Sequence, residues 1–325
     1  MNCYAVVGMG SIAKRHLANL RLLHPDSIIY AVSASNRNAD LPTHADAVIS
    51  LSQLLQEKPV YTIIASPAPH HILAAELLLK NGISTLIEKP LADTAENCEK
   101  LLSVLNYIQP VNVFVGYCLR FLPSAQIVRS YLRDGLLGEV YNVESNVGQF
   151  LPGWRTDKNY KDSVSAKKEL GGGALLELSH ELDYLFWFFG NLELQHSWLR
   201  TTNELGLDVE EIANLVLTTT SGIYISVHLD FLQKSTQRKC EFIGEKGRLV
   251  WDLITNTVTL HHGEGIDVIY SEPGYDKNRM YLDMLQAFEN VKTDGMSNLA
   301  TVESSSKVVR LIEDAKRSNK WRMMA

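Results

Sequence analysis

The sequence predicts an α/β protein with an N-terminal Rossmann-like parallel sheet, followed by an α/β domain with a large, mostly antiparallel, open sheet. Short apolar runs alternate with amphipathic segments over roughly the first 120 residues, which is typical of a parallel sheet. After Val140, period-2 or β-branched runs are separated by Gly or Asn turns, which is typical of antiparallel strands. We therefore expect one domain over 1–120 and a second over 121–325. The last helix is expected to pack back on the first domain.

Length and composition exclude several classes of protein. The 325 residues are 46% hydrophobic and 21% charged, an ordinary globular composition that is long enough for two domains. No apolar stretch approaches the roughly 18 residues of a membrane span. The net charge of -6 argues against a general nucleic-acid binder. The cysteines are scattered and no secretory leader is evident, so we expect a cytoplasmic protein with neither a membrane nor a nucleic-acid partner, and we assign no metal site.

A glycine-rich turn follows the first apolar run, Tyr4–Val7. Residues 8–13 read Gly-Met-Gly-Ser-Ile-Ala and match G-x-G-x-x-A. The first glycine permits a tight turn, the second lets the backbone approach a pyrophosphate, and the small Ala13 lets the helix pack closely on the strand. Backbone N–H groups at the start of the predicted helix 11–23 are suited to phosphates. The predicted dinucleotide-binding residues of this turn are Gly8, Gly10, Ser11 and Ile12.

The end of the second strand bears on the choice of cofactor. An NAD-preferring site carries Asp or Glu there for the ribose 2′-hydroxyl, whereas this chain has Ser33, followed by Ser35 and Arg37. A carboxylate would repel a 2′-phosphate and a guanidinium would bind it. We therefore expect NADP(H) to be preferred, with NAD(H) possible. A polar loop that turns at Asn36 is the alternative interpretation.

Glu88-Lys89-Pro90 directly follows another apolar run, Ile83–Ile87. Ligands of open α/β sheets bind at the carboxyl ends of strands, so a lysine there meets substrate and nicotinamide together. Pro90 restricts Lys89 to an extended conformation and so aims its ammonium group. We expect Lys89 to be catalytic and Glu88 to lie at the cofactor.

A second loop, Ser66-Pro67, ends the preceding strand at the same edge of the predicted sheet. His71 lies at the start of the helix that follows. We expect Ser66, Pro67 and His71 to lie near the cofactor. A capping or packing role for the histidine is the alternative.

A second polar cluster lies on the predicted helix 174–189, behind a run of three glycines. At 3.6 residues per turn, Glu177, His180, Glu181 and Tyr184 fall on one stripe. Burying polar residues costs free energy unless they are paired, so their presence in such an apolar segment indicates a specific role. One interpretation is a site, with Asp183 beside it, and the other is a row of solvated charges opposite a buried face.

These motifs together resemble the Gfo/Idh/MocA family, which includes glucose-fructose oxidoreductase and inositol dehydrogenase. The segments that carry the resemblance are 7–16, 65–67, 88–90, 117–121 and 138–140. The resemblance implies a nucleotide-binding domain followed by a domain with a large open antiparallel sheet, and oxidation or reduction of a sugar-like alcohol. It also implies cofactor and substrate contacts for Arg120.

The chain departs from this family on the helix after the glycines. Family members commonly carry Asp there, then His four residues later. Here Glu177 takes the Asp place, Glu181 takes the His place, and His180 comes one residue early. The second catalytic group is therefore His180 or a carboxylate. We favour His180, because imidazole titrates near neutrality, and keep Glu177, Glu181 and Asp183 as lesser candidates.

A polar, aromatic-rich insert precedes the glycines and resembles a loop of the sugar-modifying branches of the family, whose substrates include nucleotide-linked sugars. Trp154 is suited to stack on a pyranose, and Arg155 and Lys167 to bind hydroxyls or an anionic group. A solvent-facing loop anchored by one buried Trp is the alternative. The expected substrate-binding residues are Lys89, Arg120, Trp154, Arg155, Lys167 and His180.

The expected function is NAD(P)-dependent hydride transfer between nicotinamide and a secondary alcohol or ketone of a sugar, polyol or nucleotide-linked sugar. Lys89 is expected to hydrogen-bond the reacting oxygen and His180 to remove its proton. Two alternatives stay open: a non-catalytic NAD(P)-binding regulator of the same fold, and a promiscuous NADPH carbonyl reductase. We expect a homodimer or homotetramer formed through the C-terminal sheet.

Overall fold

The structure, a computed structural model, describes residues 1–33, 40–154, 159–291 and 298–319. It divides into two compact units. The first comprises Met1–Cys118 and Asn278–Val309, and the second comprises Leu119–Lys277 and the chain from Arg310 onward. The first unit is therefore not contiguous in sequence, because a C-terminal segment packs with the N-terminal residues.

The first unit contains a parallel sheet with the order β3-β2-β1-β4-β5-β6, which confirms the Rossmann-like prediction. The strands are β1 (Cys3–Val7), β2 (Ile28–Val32), β3 (Ala47–Ile49), β4 (Thr62–Ile64), β5 (Thr85–Glu88) and β6 (Val113–Gly116). The first four helices are α1 (Ser11–Leu23), α2 (Leu51–Glu57), α3 (His71–Lys80) and α4 (Ala95–Leu105). Strand order reverses between β1 and β4, and this switch point is where open α/β sheets bind ligands.

Helix α1 forms because its apolar residues recur on one face. Ala13, Leu17 and Leu20 are fully buried, and the helix packs on β1 and β2. Each buried leucine contributes about 1.5–3 kcal/mol of hydrophobic stabilisation. This packing fixes the start of α1, and with it the glycine turn, against the end of β1.

The second unit contains a sheet with the order β14-β13-β12-β11-β7-β10-β9-β8. Its strands are β7 (Val140–Gly148), β8 (Leu192–Arg200), β9 (Ile212–Thr219), β10 (Tyr224–Asp230), β11 (Gln237–Gly244), β12 (Gly247–Asp252), β13 (Thr257–His262) and β14 (Gly265–Ser271). Only β7 and β10 pair in parallel within this sheet, which confirms the mostly antiparallel prediction. The helices that follow α4 are α5 (Pro123–Arg133), α6 (Ala174–Glu177), α7 (His180–Phe189), α8 (Arg279–Glu289) and α9 (Val302–Ser318).

The two faces of this large sheet differ in polarity. On one face, α7 packs on β7, where the Tyr184 hydroxyl lies 2.7 Å from Ser145 Oγ. On the same side, Trp251 Nε1 donates to Ser124 Oγ of α5 across 2.9 Å. The other face is lined by polar and charged residues that alternate with the buried ones, as period-2 strands require. They include Glu144, Asn146, Asn214, Ser226, His228, Lys239 and Glu241.

Two features of the second unit differ from the sequence expectation. The predicted helix 174–189 is divided into α6 and α7 at Leu178 and Ser179. Strand β14 was not predicted, although Ile266, Val268 and Tyr270 alternate along it, and most of its residues are exposed in the structure. In the part of the chain that the structure describes, no helix is long and apolar enough to cross a membrane.

Gly8 provides a direct test of the switch-point geometry. Its φ is +124°, and a Cβ there would lie 2.6 Å from the carbonyl oxygen of Ala65. We expect Gly8→Ala to lower the free energy of unfolding by at least about 1–3 kcal/mol through backbone strain and this clash. Gly10→Ala is the matched control, because nothing lies within 4 Å of a Cβ at Gly10. Denaturant unfolding checks both variants, and equal stabilities would contradict the described turn.

Candidate active site

The glycine turn leaves the start of α1 accessible. Gly8 N–H donates to Val32 O across 3.0 Å, which fixes the turn to the end of β2. Gly10 and Ser11 are exposed, Ile12 is half-buried, and the first turn of α1 has no acidic residue. A helix start that is open and free of acidic side chains suits a phosphate anion. The residues present therefore fit the pyrophosphate of a dinucleotide.

Lys89 lies immediately after β5, at the same edge of the sheet. Its side chain is half-buried, and the Lys89–Pro90 peptide bond is cis. The Lys89 N–H donates to Glu88 Oε2 across 3.1 Å. The lysine main chain is thus bonded to the carboxylate of the residue before it.

The same carboxylate has a partner that the sequence analysis missed. His16 Nε2 lies 2.7 Å from Glu88 Oε1, and the histidine is fully buried. On α1, His16 shares the stripe of Ala13, Leu17 and Leu20. A titratable residue on this predicted apolar stripe was the only signal, and it does not by itself name a partner.

His71 lies between two loops of the candidate site. Its Nε2 lies 2.7 Å from the carbonyl oxygen of Ser66, and its Nδ1 lies 3.0 Å from that of Pro90 and 3.3 Å from that of Leu91. The ring is buried, so its nitrogens face main-chain carbonyls. Burial lowers the pKa of His71, although the carbonyl contacts and the charge of Glu88 oppose this shift. This geometry favours the packing interpretation of His71.

Two carboxylates of the predicted polar stripe on α7 are held by arginines. Arg238 donates to Glu181 through Nε and Nη2, across 2.7 and 3.2 Å. Arg120 donates to Asp183 in the same two-pronged way, across 2.9 and 2.7 Å. Glu181 and Asp183 are both fully or almost fully buried. Arginine forks of this kind fix the carboxylates in place. Burial raises the pKa of Asp183, and the charge and hydrogen bonds of Arg120 oppose this shift.

The break between α6 and α7 separates the other two members of that stripe. Glu177 is the last residue of α6 and His180 is the first of α7, and both are half-buried. The regular stripe predicted from 3.6 residues per turn is therefore wrong as a single continuous helix face. Glu181 and Tyr184 point to the sheet, where Arg238 and Ser145 bind them.

Three further residues that were predicted to bind substrate have contacts within the protein. Arg120 pairs with Asp183 and lies 5.6 Å from the Trp187 ring. Trp154 Nε1 donates to Gln149 O across 3.3 Å, and Lys167 Nζ lies 3.8 Å from an Asp162 oxygen.

Ser33, which follows β2, is buried. In the loop after β4, Pro67 is half-buried, and the buried Ser66 hydroxyl has no hydrogen-bond partner among the described residues. Ser35, Arg37 and Arg155 lie outside the described residues. Within the described ranges, no group of three or more His, Cys, Asp or Glu side chains is arranged to hold a metal ion.

Together, the Rossmann-like sheet, the open glycine turn and a lysine at the neighbouring strand end define a dinucleotide-binding oxidoreductase. Residues 3–117 match the family model described as an oxidoreductase family with an NAD-binding Rossmann fold. Residues 125–250 match the GFO/IDH/MocA C-terminal domain. The chain belongs to the GFO/IDH/MocA family of oxidoreductases.

Curated relatives include dehydrogenases of polyols and sugars. The chain is 34% identical over 143 residues to an uncharacterized oxidoreductase of Synechocystis, a match to 43% of this chain and 38% of that relative's length. It is 23% identical over 251 residues to inositol 2-dehydrogenase of Rubrobacter xylanophilus, covering 74% of this chain and 69% of the relative. It is 26% identical over 196 residues to D-glucoside 3-dehydrogenase of Escherichia coli, covering 57% and 53%.

Solved structures resemble this chain over almost its whole length. Levoglucosan dehydrogenase in complex with NADH superposes with a TM-score of 0.83 at 18% identity, covering 98% of both chains. The WlbA dehydrogenase of Bordetella pertussis, in complex with NADH and UDP-GlcNAcA, superposes with a TM-score of 0.77 at 21% identity, covering 97% of this chain and 95% of the other. At these identities the likeness establishes the fold.

The pKa of His71 predicts a pH dependence of stability. A histidine whose folded pKa lies below its unfolded value of about 6.5 binds fewer protons in the folded state. Stability is therefore lost as pH falls from about 7 to 5, by at most about 1.4 kcal/mol per pH unit from this group. We expect His71→Gln to flatten this slope in denaturant unfolding.

The adjacent His70 is exposed, so His70→Gln should keep the wild-type slope. A steeper loss of stability at low pH in His71→Gln than in wild type would mean that His71 is an imidazolium in the folded protein, which contradicts the expectation.

Proposed function

We propose that this protein transfers hydride between a nicotinamide cofactor and a CH–OH group of a sugar, polyol or nucleotide-linked sugar. The observation that carries the proposal is the position of Lys89, directly after a strand of the parallel sheet and at the edge that carries the glycine turn. The substrate class is supported by relatives named as inositol and glucoside dehydrogenases.

The chemistry requires a proton donor or acceptor and a group that stabilises charge on the reacting oxygen. The nicotinamide supplies or accepts the hydride. Lys89 is proposed to donate a hydrogen bond to the reacting oxygen, which stabilises alkoxide character as the proton leaves. His180 is proposed to accept that proton in oxidation and return it in reduction.

The arginine pairs of α7 support His180 over the neighbouring carboxylates. Glu181 and Asp183 each bind a guanidinium through two hydrogen bonds, which occupy the carboxylate oxygens and hold them in the interior of the second unit. His180 is only half-buried, and imidazole is the side chain whose ordinary pKa lies nearest neutral pH. Glu177 remains a lesser candidate for the second catalytic group.

We also propose that NADP(H) is preferred and NAD(H) accepted. The support is that Ser33, and no carboxylate, follows β2. The solved relatives with NADH make NAD(H) the natural second cofactor to assay.

The direct test is a screen of initial rates with both cofactors against sugars, polyols and nucleotide sugars. On the best substrate, Lys89→Met should lower kcat/KM about 100- to 1,000-fold, the usual effect of removing one charge-stabilising donor. His180→Gln should lower kcat at least about 100-fold. Glu181→Gln should lower stability and leave kcat of the folded protein within a few-fold, because its carboxylate binds Arg238.

Lys100→Met is the matched control, since this exposed lysine pairs only with Glu96 and Glu76 on the surface among the contacts described. Lys89→Met with wild-type turnover would disprove the mechanism. Tight cofactor binding with no turnover on any compound would instead support the regulatory function.

The polar face of the eight-stranded sheet is proposed to join copies of this chain as a homodimer or homotetramer. It carries a shallow cavity of about 350 Å³, lined by groups of both charges that include Glu144, Lys239 and Glu241. In a two-fold contact residue i of one copy meets residue j of the other and j meets i, so a face that carries both charges can pair its acidic groups with basic groups of the second copy.

Light scattering after size-exclusion chromatography tests this assembly. We expect a dimer or tetramer for the wild type, and a shift towards monomer for Ser226→Arg, because Ser226 lines the cavity. Leu73→Arg, on the exposed surface of α3, is the control that should not change the mass. A monomeric wild type would disprove the proposed assembly.

A further inference from the structure

We infer that His16 is a positioning residue, which fixes the carboxylate of Glu88 and through it the main chain of Lys89. The inference rests on the proposed function in one respect: it is the role of Lys89 that gives the position of this loop a catalytic consequence. Its structural part stands on the first unit alone.

Each oxygen of the Glu88 carboxylate has a hydrogen-bond partner among the described residues. Oε1 lies 2.7 Å from His16 Nε2, and Oε2 accepts the Lys89 N–H across 3.1 Å. A carboxylate only accepts, so Nε2 of His16 carries the hydrogen. The carboxylate therefore links a helix side chain to the peptide group of the lysine.

The space around this carboxylate leaves it little freedom. Glu88 pairs with Gly116 of β6 in the parallel sheet. A Cβ at Gly116 would lie 3.2 Å from Glu88 Oε1 and 3.3 Å from its Cδ, so the absence of a side chain there makes room for the carboxylate. Glu88 and His16 are both buried, so water does not compete for their hydrogen bond.

Other charged and titratable groups lie near the hydrogen bond between His16 and Glu88. The Tyr281 ring lies edge-on to His16 with centroids 6.0 Å apart, and the Arg15 guanidinium lies 4.7 Å from the Tyr281 centroid. Burial raises the pKa of Tyr281, so its hydroxyl stays neutral. Cys118 lies beside Tyr281, and the charge of Glu88 also acts on His71.

The pair has a consequence for the geometry of the site. Helix α1 begins at the glycine turn and carries His16 in its second turn, while β5 ends in Glu88 and Lys89. The hydrogen bond thus holds the phosphate-binding turn and the lysine in a fixed relation. Loss of the bond should move Lys89 relative to the bound cofactor more than it changes cofactor affinity.

Hydrogen exchange at the Lys89 amide of the full-length protein tests this directly, because that N–H is the group that donates to Glu88 Oε2. We expect His16→Leu to speed exchange of this amide about tenfold beyond any change at the core amides of β1 and β4. His16→Gln, which restores a donor, should return the rate to within about threefold of wild type.

Asn19→Leu is the matched control. Asn19 is a buried polar residue of the same helix and accepts a hydrogen bond from Asn278 Nδ2 across 2.8 Å. Its loss should lower stability and leave the Lys89 amide no more affected than the core amides. If His16→Leu or His16→Gln behaves like Asn19→Leu, His16 only stabilises the fold and the inference is wrong.

Kinetics provide the second readout. On the best substrate of the screen, His16→Leu should lower kcat about tenfold or more, with the cofactor Kd within about threefold of wild type and partial rescue in His16→Gln. A selective loss of cofactor affinity would overturn the inference. The proposed function fails separately, if Lys89→Met keeps its turnover, and the exchange result does not depend on that outcome.

Discussion

Parallel pairing of three neighbouring strands is the constraint on which the candidate site depends. Val7 of β1 is in register with Ile64 of β4, and Ile64 with Ile87 of β5. The chain therefore leaves all three strands at one level of the sheet, and the glycine turn, the Ser66 loop and Lys89 follow there. Buried histidines then link these segments: His16 binds the carboxylate before Lys89, and His71 faces carbonyls of both loops.

In the second unit, buried ion pairs decide which polar residues are available for chemistry. Arg238 and Arg120 each bind a carboxylate of α7. Removing one partner of a buried pair lowers the free energy of unfolding, because it leaves the other charge unpaired. These arginines explain how a helix rich in Leu and Phe tolerates Glu181 and Asp183. Glu177 and His180, the polar residues at the helix break, are not members of these two arginine pairs.

The sequence predicted the parallel sheet and the strand-end position of Lys89, because local apolar runs and glycine signals determine both. It did not predict the His16–Glu88 bond or the Arg238–Glu181 pair, whose partners are 72 and 57 residues apart. Periodicity shows that a position is buried but does not identify its partner. The break at Leu178–Ser179 was missed for a similar reason, since leucine and its neighbours have ordinary helix propensity and nothing local ends the helix.

The measurement that tests the central claim most directly is a crystal structure of this protein with an oxidised nicotinamide cofactor bound. If Lys89 serves the reacting oxygen, Nζ should point to the substrate side of the nicotinamide ring, within about 3–4 Å of the place where an oxygen attached to the reacting carbon would lie. The pyrophosphate should lie at the glycine turn. An ordered nicotinamide on the far side of the sheet edge, with Lys89 directed away from it, would contradict the account.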